Sequence, residues 1–78
     1  MSHGGELDPE AFLRVVGKRI RILRLTRELT QDELAAAAGI SRSFVSLVEH
    51  GAKGIDVVRL LRLARALDVP LDELVKQP

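Results

Sequence analysis

The 78-residue chain predicts an all-α domain of five short helices. Three observations lead there. Apolar residues recur at steps of three and four, as in Val16, Ile20 and Leu23, the spacing of one helix face. Helix-starting residues stand ahead of each such run: Asp8-Pro9, Thr30, Ser41, Asp56 and Pro70. Residues 31–50, QDELAAAAGISRSFVSLVEH, carry small residues and apolar anchors where two steeply crossing helices need them.

The first helix opens at Asp8-Pro9, with Pro at the first helical position, and runs to about Glu28. Val16, Ile20 and Leu23 face the core, with Leu29 just beyond the end. Thr30 and Glu33 form a capping box for the second helix. Ala35 sits where the second and third helices come closest, and Gly39 supplies a left-handed residue at the turn. Ser41 caps the third helix. Leu34, Ala38, Ile40, Val45 and Val48 fill the space behind the turn. A unit of this shape places its second helix in the DNA major groove. Gly51 and Gly54 bracket the loop HGAKGI, and Asp56 caps a fourth helix with Val57, Leu60, Leu61, Ala64 and Leu67 pointing inward. Pro70 breaks that helix and starts a short fifth, LDELV. Residues 1–8 are expected as a flexible tail and 9–78 as one domain.

Charge is unevenly spread. The net charge is +1, but residues 14–65 hold eleven Lys or Arg against five acids, while both ends are acidic. A basic centre with acidic ends suits a polyanion bound on one face. Cysteine is absent, so neither a disulfide nor a thiolate metal site can form. No apolar run reaches the roughly 20 residues of a membrane span, and the N-terminus has no secretion signal. The expected location is the cytoplasm, at the nucleoid. No catalytic constellation, cofactor motif or metal site is present: His50 has no nucleophile beside it, and the glycines of HGAKGI lack the Lys-Ser/Thr of a phosphate loop.

The segments RIRILRLTRELTQDELAAAAGIS, SFVSLVEHG and DVVRLLRLARALDVPLDELV together resemble the Cro and lambda-repressor-type helix-turn-helix domains, also called the xenobiotic response element family. The pattern LTQ-x-x-LA…G-[IV]-S…V-x-x-[VILW]-E-x-G carries the resemblance over about residues 16–75. It implies a compact five-helix, lambda-repressor-like domain that binds DNA sequence-specifically as a homodimer, usually to repress transcription. It implies a phosphate contact at Gln31, at the start of the second helix, which the anion affinity of a helix N-terminus supports. It also implies an ion pair between Arg24 and Glu49 joining the first helix to the recognition helix, and a dimer interface at Ile55, Val58, Leu71, Leu74 and Val75.

On the recognition helix, 42–50, the outward residues are Arg42, Ser43, Ser46 and Leu47. These are the candidate base contacts, with Arg42 suited to guanine O6 and N7 and Leu47 either packing against thymine methyls or marking a position without readout. Phe44 lies toward the sugar-phosphate wall or the core edge. His50, Lys53 and Arg59 are further phosphate candidates. Arg59, Arg62 and Arg65 make a basic stripe, otherwise an ordinary solvated face. Phe12 and Val15 are expected to pack against the fifth helix. Ile22 and Leu25 lie off the main core face, either as extra core or as an exposed patch for a protein partner. Two readings therefore stand beside the repressor: an antitoxin or protein-interaction module with DNA binding secondary, and a restriction-modification controller sharing fold and mechanism.

Overall fold

A first helical turn leaves free N–H groups, and four of the five helix starts here meet them with a side chain. A computed structural model describes residues 7–76, in which the helices are α1 (Pro9–Thr26), α2 (Gln31–Ala38), α3 (Arg42–Glu49), α4 (Val57–Ala66) and α5 (Leu71–Val75). Most of the tail expected over 1–8, and the last two residues of the expected domain, lie outside the described residues. Asp8 caps α1: its carboxylate accepts from the Glu10 and Ala11 N–H groups at 3.1 and 3.3 Å. The Thr30 hydroxyl accepts from Glu33 N–H at 3.0 Å while the Glu33 carboxylate accepts from Thr30 N–H at 2.8 Å, closing the capping box. Ser41 accepts from Phe44 N–H and Asp56 from Arg59 N–H. Pro70, ahead of α5, offers no side-chain cap.

The helix ends share one device. After α1, α2, α3 and α4 a residue turns left-handed: Glu28 at φ 58°, Gly39 at 70°, Gly51 at 69° and Asp68 at 58°. The next residue's N–H then bonds back five positions, Leu29 to Arg24, Ile40 to Ala35, Ala52 to Leu47 and Val69 to Ala64, each at 3.0 Å. α1 thus stops at Thr26, short of the expected Glu28, because Glu28 is already the turning residue. A non-glycine there costs roughly 1–3 kcal/mol. The recovered hydrogen bonds, and the packing of Leu29 and Val69 on the core, offset it.

α2 and α3 pack on each other, α1 on α3, α4 on α2, and α5 on α4 and α1. Ile20, Leu34, Val45, Leu63, Leu67 and Leu74 are fully enclosed at the centre. Ala35 and Ala38 are buried between helices, as their size requires. Phe12 is half-buried against the core, and Val15 is half-buried. Two expectations need correction. In α4 the inward face is Leu60, Leu63, Ala64 and Leu67, whereas Val57 is 71% exposed and Leu61 is also exposed. This helix is apolar on more than one side, so periodicity alone does not choose its inner face. Leu74, expected at a dimer interface, is fully enclosed in the core, so its side chain is not on the surface.

Gly17 sets the approach of α1 to α3. A Cβ there would overlap the Val48 carbonyl oxygen and stand 2.9 Å from the Glu49 carbonyl oxygen. Gly51 faces the same helix, with Arg14 Cα 2.9 Å from where its Cβ would be. The C-terminal end of α3 is therefore seated directly on the α1 backbone. We expect Gly17→Ala to destabilise by about 1–3 kcal/mol despite the better helix propensity of Ala. Thermal unfolding should show a Tm lower by roughly 4 °C or more; an unchanged Tm would mean α1 is not seated there. Gly54→Ala, at a position with nothing within 4 Å, serves as the neutral control.

The Asp56 cap predicts a pH effect. The Arg59 N–H bond, aided by the Arg59 charge, holds this carboxylate below its ordinary value of 3.8. Its folded value is depressed, so the stability it gives is fully present above the unfolded value and is lost as pH falls through the folded one. Asp56→Ala should be less stable than the parent at neutral pH, and the two should converge below the carboxylate range.

Candidate nucleic-acid interface

α3 is divided lengthwise. Phe44, Val45, Val48 and Glu49 are buried, while Arg42, Ser43 and Leu47 are exposed and Ser46 is half-buried. The four candidate base-reading residues thus share one outward strip, Ser46 lying at its edge. Phe44 belongs to the core edge, where the Arg59 guanidinium lies over its ring at 4.8 Å from the centroid.

What holds this helix is a buried polar cluster. Arg24 Nε donates to Glu49 Oε2 at 2.6 Å and Nη2 donates to Oε1 at 3.0 Å, with side chains 9% and 2% exposed. Arg24 Nη1 donates to the Leu29 carbonyl at 2.8 Å, tying in the α1–α2 connection. The Glu49 hydrogen bond holds the Arg24 guanidinium above its ordinary value, against the opposing effect of burial. Gln31 joins the cluster: its Nε2 donates to Glu49 Oε1 at 3.1 Å. The side chain proposed for a phosphate is therefore positioned by the ion pair, with its second amide hydrogen left for a ligand.

Other basic residues follow α3 and lie on α4. His50, capping the end of α3, donates from Nδ1 to the Ser46 carbonyl at 2.7 Å and is exposed. Lys53 is exposed in the following loop. Arg59 Nη1 pairs with Asp56 at 3.2 Å, and Arg62 reaches to 3.7 Å from the Cβ position of Gly39. Arg59 and Arg62, with Gly39, Ile40, Ser41 and Phe44, line an open cavity of about 380 Å³ beside the turn. Reading residues 59, 62 and 65 as one stripe missed this split; the Phe44 aromatic ring, one of only two in the chain, was the available signal. Also missed were Gly17, on a helix with no turn to mark it, and Asp32, whose Oδ1 lies 3.5 Å from Arg42 Nε. Among the described residues no cluster of acidic, His or Cys side chains could hold a metal, and no helix is long and apolar enough to cross a membrane.

The family described as Helix-turn-helix matches residues 20–74, which include the α2–turn–α3 pair. The chain belongs to that family. This helix-turn-helix protein is 39% identical over 62 residues to the HTH-type transcriptional regulator y4dJ of Sinorhizobium fredii, covering 80% of each chain. It is 35% identical over 60 residues to the HTH-type transcriptional repressor RghR of Bacillus subtilis, covering 76% of this chain but 44% of the repressor. It therefore spans less than half of that relative. Among solved structures, the restriction-modification controller protein C.AhdI from Aeromonas hydrophila matches with a TM-score of 0.80 and 42% identity, over 82% of this chain and 97% of that one. The five-helix, lambda-repressor-like architecture is thus a shared one.

Removing one member of the buried pair should cost far more than removing both. We expect Arg24→Met in this helix-turn-helix protein to lose about 3–5 kcal/mol, because Glu49 keeps its charge without its counter-ion. Arg24→Met with Glu49→Met should recover a large part of that loss in urea unfolding. Equal losses from the single and double variants would assign the cost to packing instead.

Proposed function

We propose that this chain is a sequence-specific DNA-binding regulator that represses transcription by occupying a palindromic operator as a homodimer. The observation that carries the reading is the lengthwise division of α3: one side is fixed by Glu49, Val45 and Val48, and the other presents Arg42, Ser43, Ser46 and Leu47 outward. An eight-residue helix is about 12 Å long, which suits insertion across a major groove of about that width. Arg42, at its N-terminal end, is the residue for guanine, and Leu47 meets a thymine methyl. Gln31, His50, Lys53 and Arg59 take phosphates, which fix register without reading sequence.

One such helix contacts too few bases to select a site, so a second copy related by a two-fold completes the reader, its recognition helix roughly 34 Å away. The apolar surface for that pairing is Val57, Val58 and Leu61 on α4, with the half-buried Ile55, Leu71 and Val75 beside it. The protein works in the cytoplasm, at the nucleoid, and calls for no cofactor or catalytic group. The extensive coverage of C.AhdI favours a restriction-modification controller as the more specific reading; the neighbouring genes test it. A protein-partner role, as in an antitoxin, is favoured by Ile22 and Leu25, 52% and 50% exposed on α1.

Selection from random duplex DNA at about physiological salt tests the proposal: an enriched inverted repeat supports it, and no enrichment by the folded protein overturns it. Affinity should fall steeply with salt, in proportion to the phosphates neutralised; a flat dependence favours the protein-partner role. Arg42→Ala should relax preference at one position per half-site, at a cost of roughly 1–3 kcal/mol. Gln31→Ala should weaken binding to all sequences about equally, and a loss confined to one sequence would remove it from the phosphate set.

A further inference from the structure

We propose that Asp32 is a specificity-determining residue: its carboxylate holds Arg42 by the inner nitrogen of the guanidinium and aims the outer edge at a single base. The inference rests on the reading of Arg42 as a base contact. Asp32 is the second residue of α2 and Arg42 the first of α3, and the crossing of the two helices leaves their side chains within reach of each other. Asp32 Oδ1 lies 3.5 Å from Arg42 Nε, with the side chains 76% and 65% exposed. The contact is an ion pair without a hydrogen bond, and among the described residues neither side chain has another partner. An exposed pair of this kind adds little to folding stability. Its consequence is orientation.

The geometry of contact matters. Guanine offers O6 and N7 side by side and is read by two parallel N–H groups. A carboxylate at Nε leaves both terminal nitrogens, and hence the end of the fork, free to make that contact. Held this way, the long Arg side chain loses less freedom when it binds. The carboxylate has a second effect. It follows Gln31 in the chain and is exposed, so where Gln31 takes a phosphate the carboxylate repels every duplex alike. Only a site that gives Arg42 two acceptors offsets that repulsion. Asp32 therefore lowers affinity for all DNA and widens the gap between the right base and the wrong ones, which is how specificity is gained from a repulsive group.

The full chain, Arg42→Ala, Asp32→Asn and the double variant are titrated with the selected operator, with operators carrying each other base at the position Arg42→Ala relaxes, and with unrelated duplex. The parent should prefer its base there by about tenfold or more. Asp32→Asn should reduce that preference by about threefold or more while binding unrelated duplex more tightly. The double variant should show the same preference as Arg42→Ala, because Asp32 acts only through Arg42. If Arg42→Ala changes the preference and Asp32→Asn does not, the bracing role is overturned and the function of Arg42 stands. If Asp32→Asn still shifts the preference in the absence of Arg42, Asp32 reads a base itself and the inference is wrong. If neither substitution matters, the assignment of Arg42 and this inference fall together. Asp32 at the first turn of α2 also favours the helix dipole; a role limited to that would lower the Tm of Asp32→Asn and leave base preference intact, overturning the proposal.

Discussion

Glu49 is the point on which the geometry of the domain depends. It lies at the end of α3, almost out of solvent, and accepts from Arg24 of α1 and Gln31 of α2. Apolar burial around Val45 and Val48 drives the helices together, but it is non-directional and tolerates small rotations. A two-pronged guanidinium–carboxylate contact does not. It fixes how far α3 is turned about its own axis, and thus which residues are presented outward. Arg24 also reaches the Leu29 carbonyl, so the link between α1 and α2 is drawn into the same cluster. No buried side-chain polar atom among the described residues is left without a partner. Such a cluster adds less stability than its short distances imply, since both ions have lost their water. Its contribution is angular precision.

The backbone contacts at Gly17 and Gly51 complement this cluster. They bring α1 against the C-terminal end of α3 more closely than any side chain would permit. The N-terminal end, with Ser41 and Arg42, is held chiefly by the turn and by the packing of Phe44 beneath Arg59. The helix is thus gripped at the end farther from Arg42.

Much of this was legible in the sequence. Four caps, the left-handed Gly39 and the small Ala35 follow from local chemistry that involves only near neighbours along the chain, and the five helices follow from those signals together with apolar spacing. The Arg24–Glu49 pair was legible only through the family pattern, since nothing local links residues 25 apart. Other features, besides Gly17, were not legible. The inner face of α4 could not be chosen because Val57, Leu60, Leu61, Leu63 and Leu67 occupy more than one side of the helix. Glu28 and Asp68 carry no mark of a left-handed residue, as polar residues of their kind are common in ordinary turns. Asp32 was indistinguishable from any acid in a first turn until the fold placed Arg42 beside it.

The residues that hold α3 and the residues that it presents are nearly disjoint sets. Arg42, Ser43 and Leu47 are exposed and contribute nothing to the enclosed core; Val45, Val48 and Glu49 contribute to it and face away from solvent. Gln31 is the main residue with a foot in both, through its bond to Glu49. The separation has an evolutionary consequence. On the proposed reading of α3, successive changes on the outer strip move the protein from one operator to another without passing through an intermediate that fails to fold. A small frame of this kind can therefore be copied, diverge and serve many promoters, its recognition surface drifting while the scaffold stays constant.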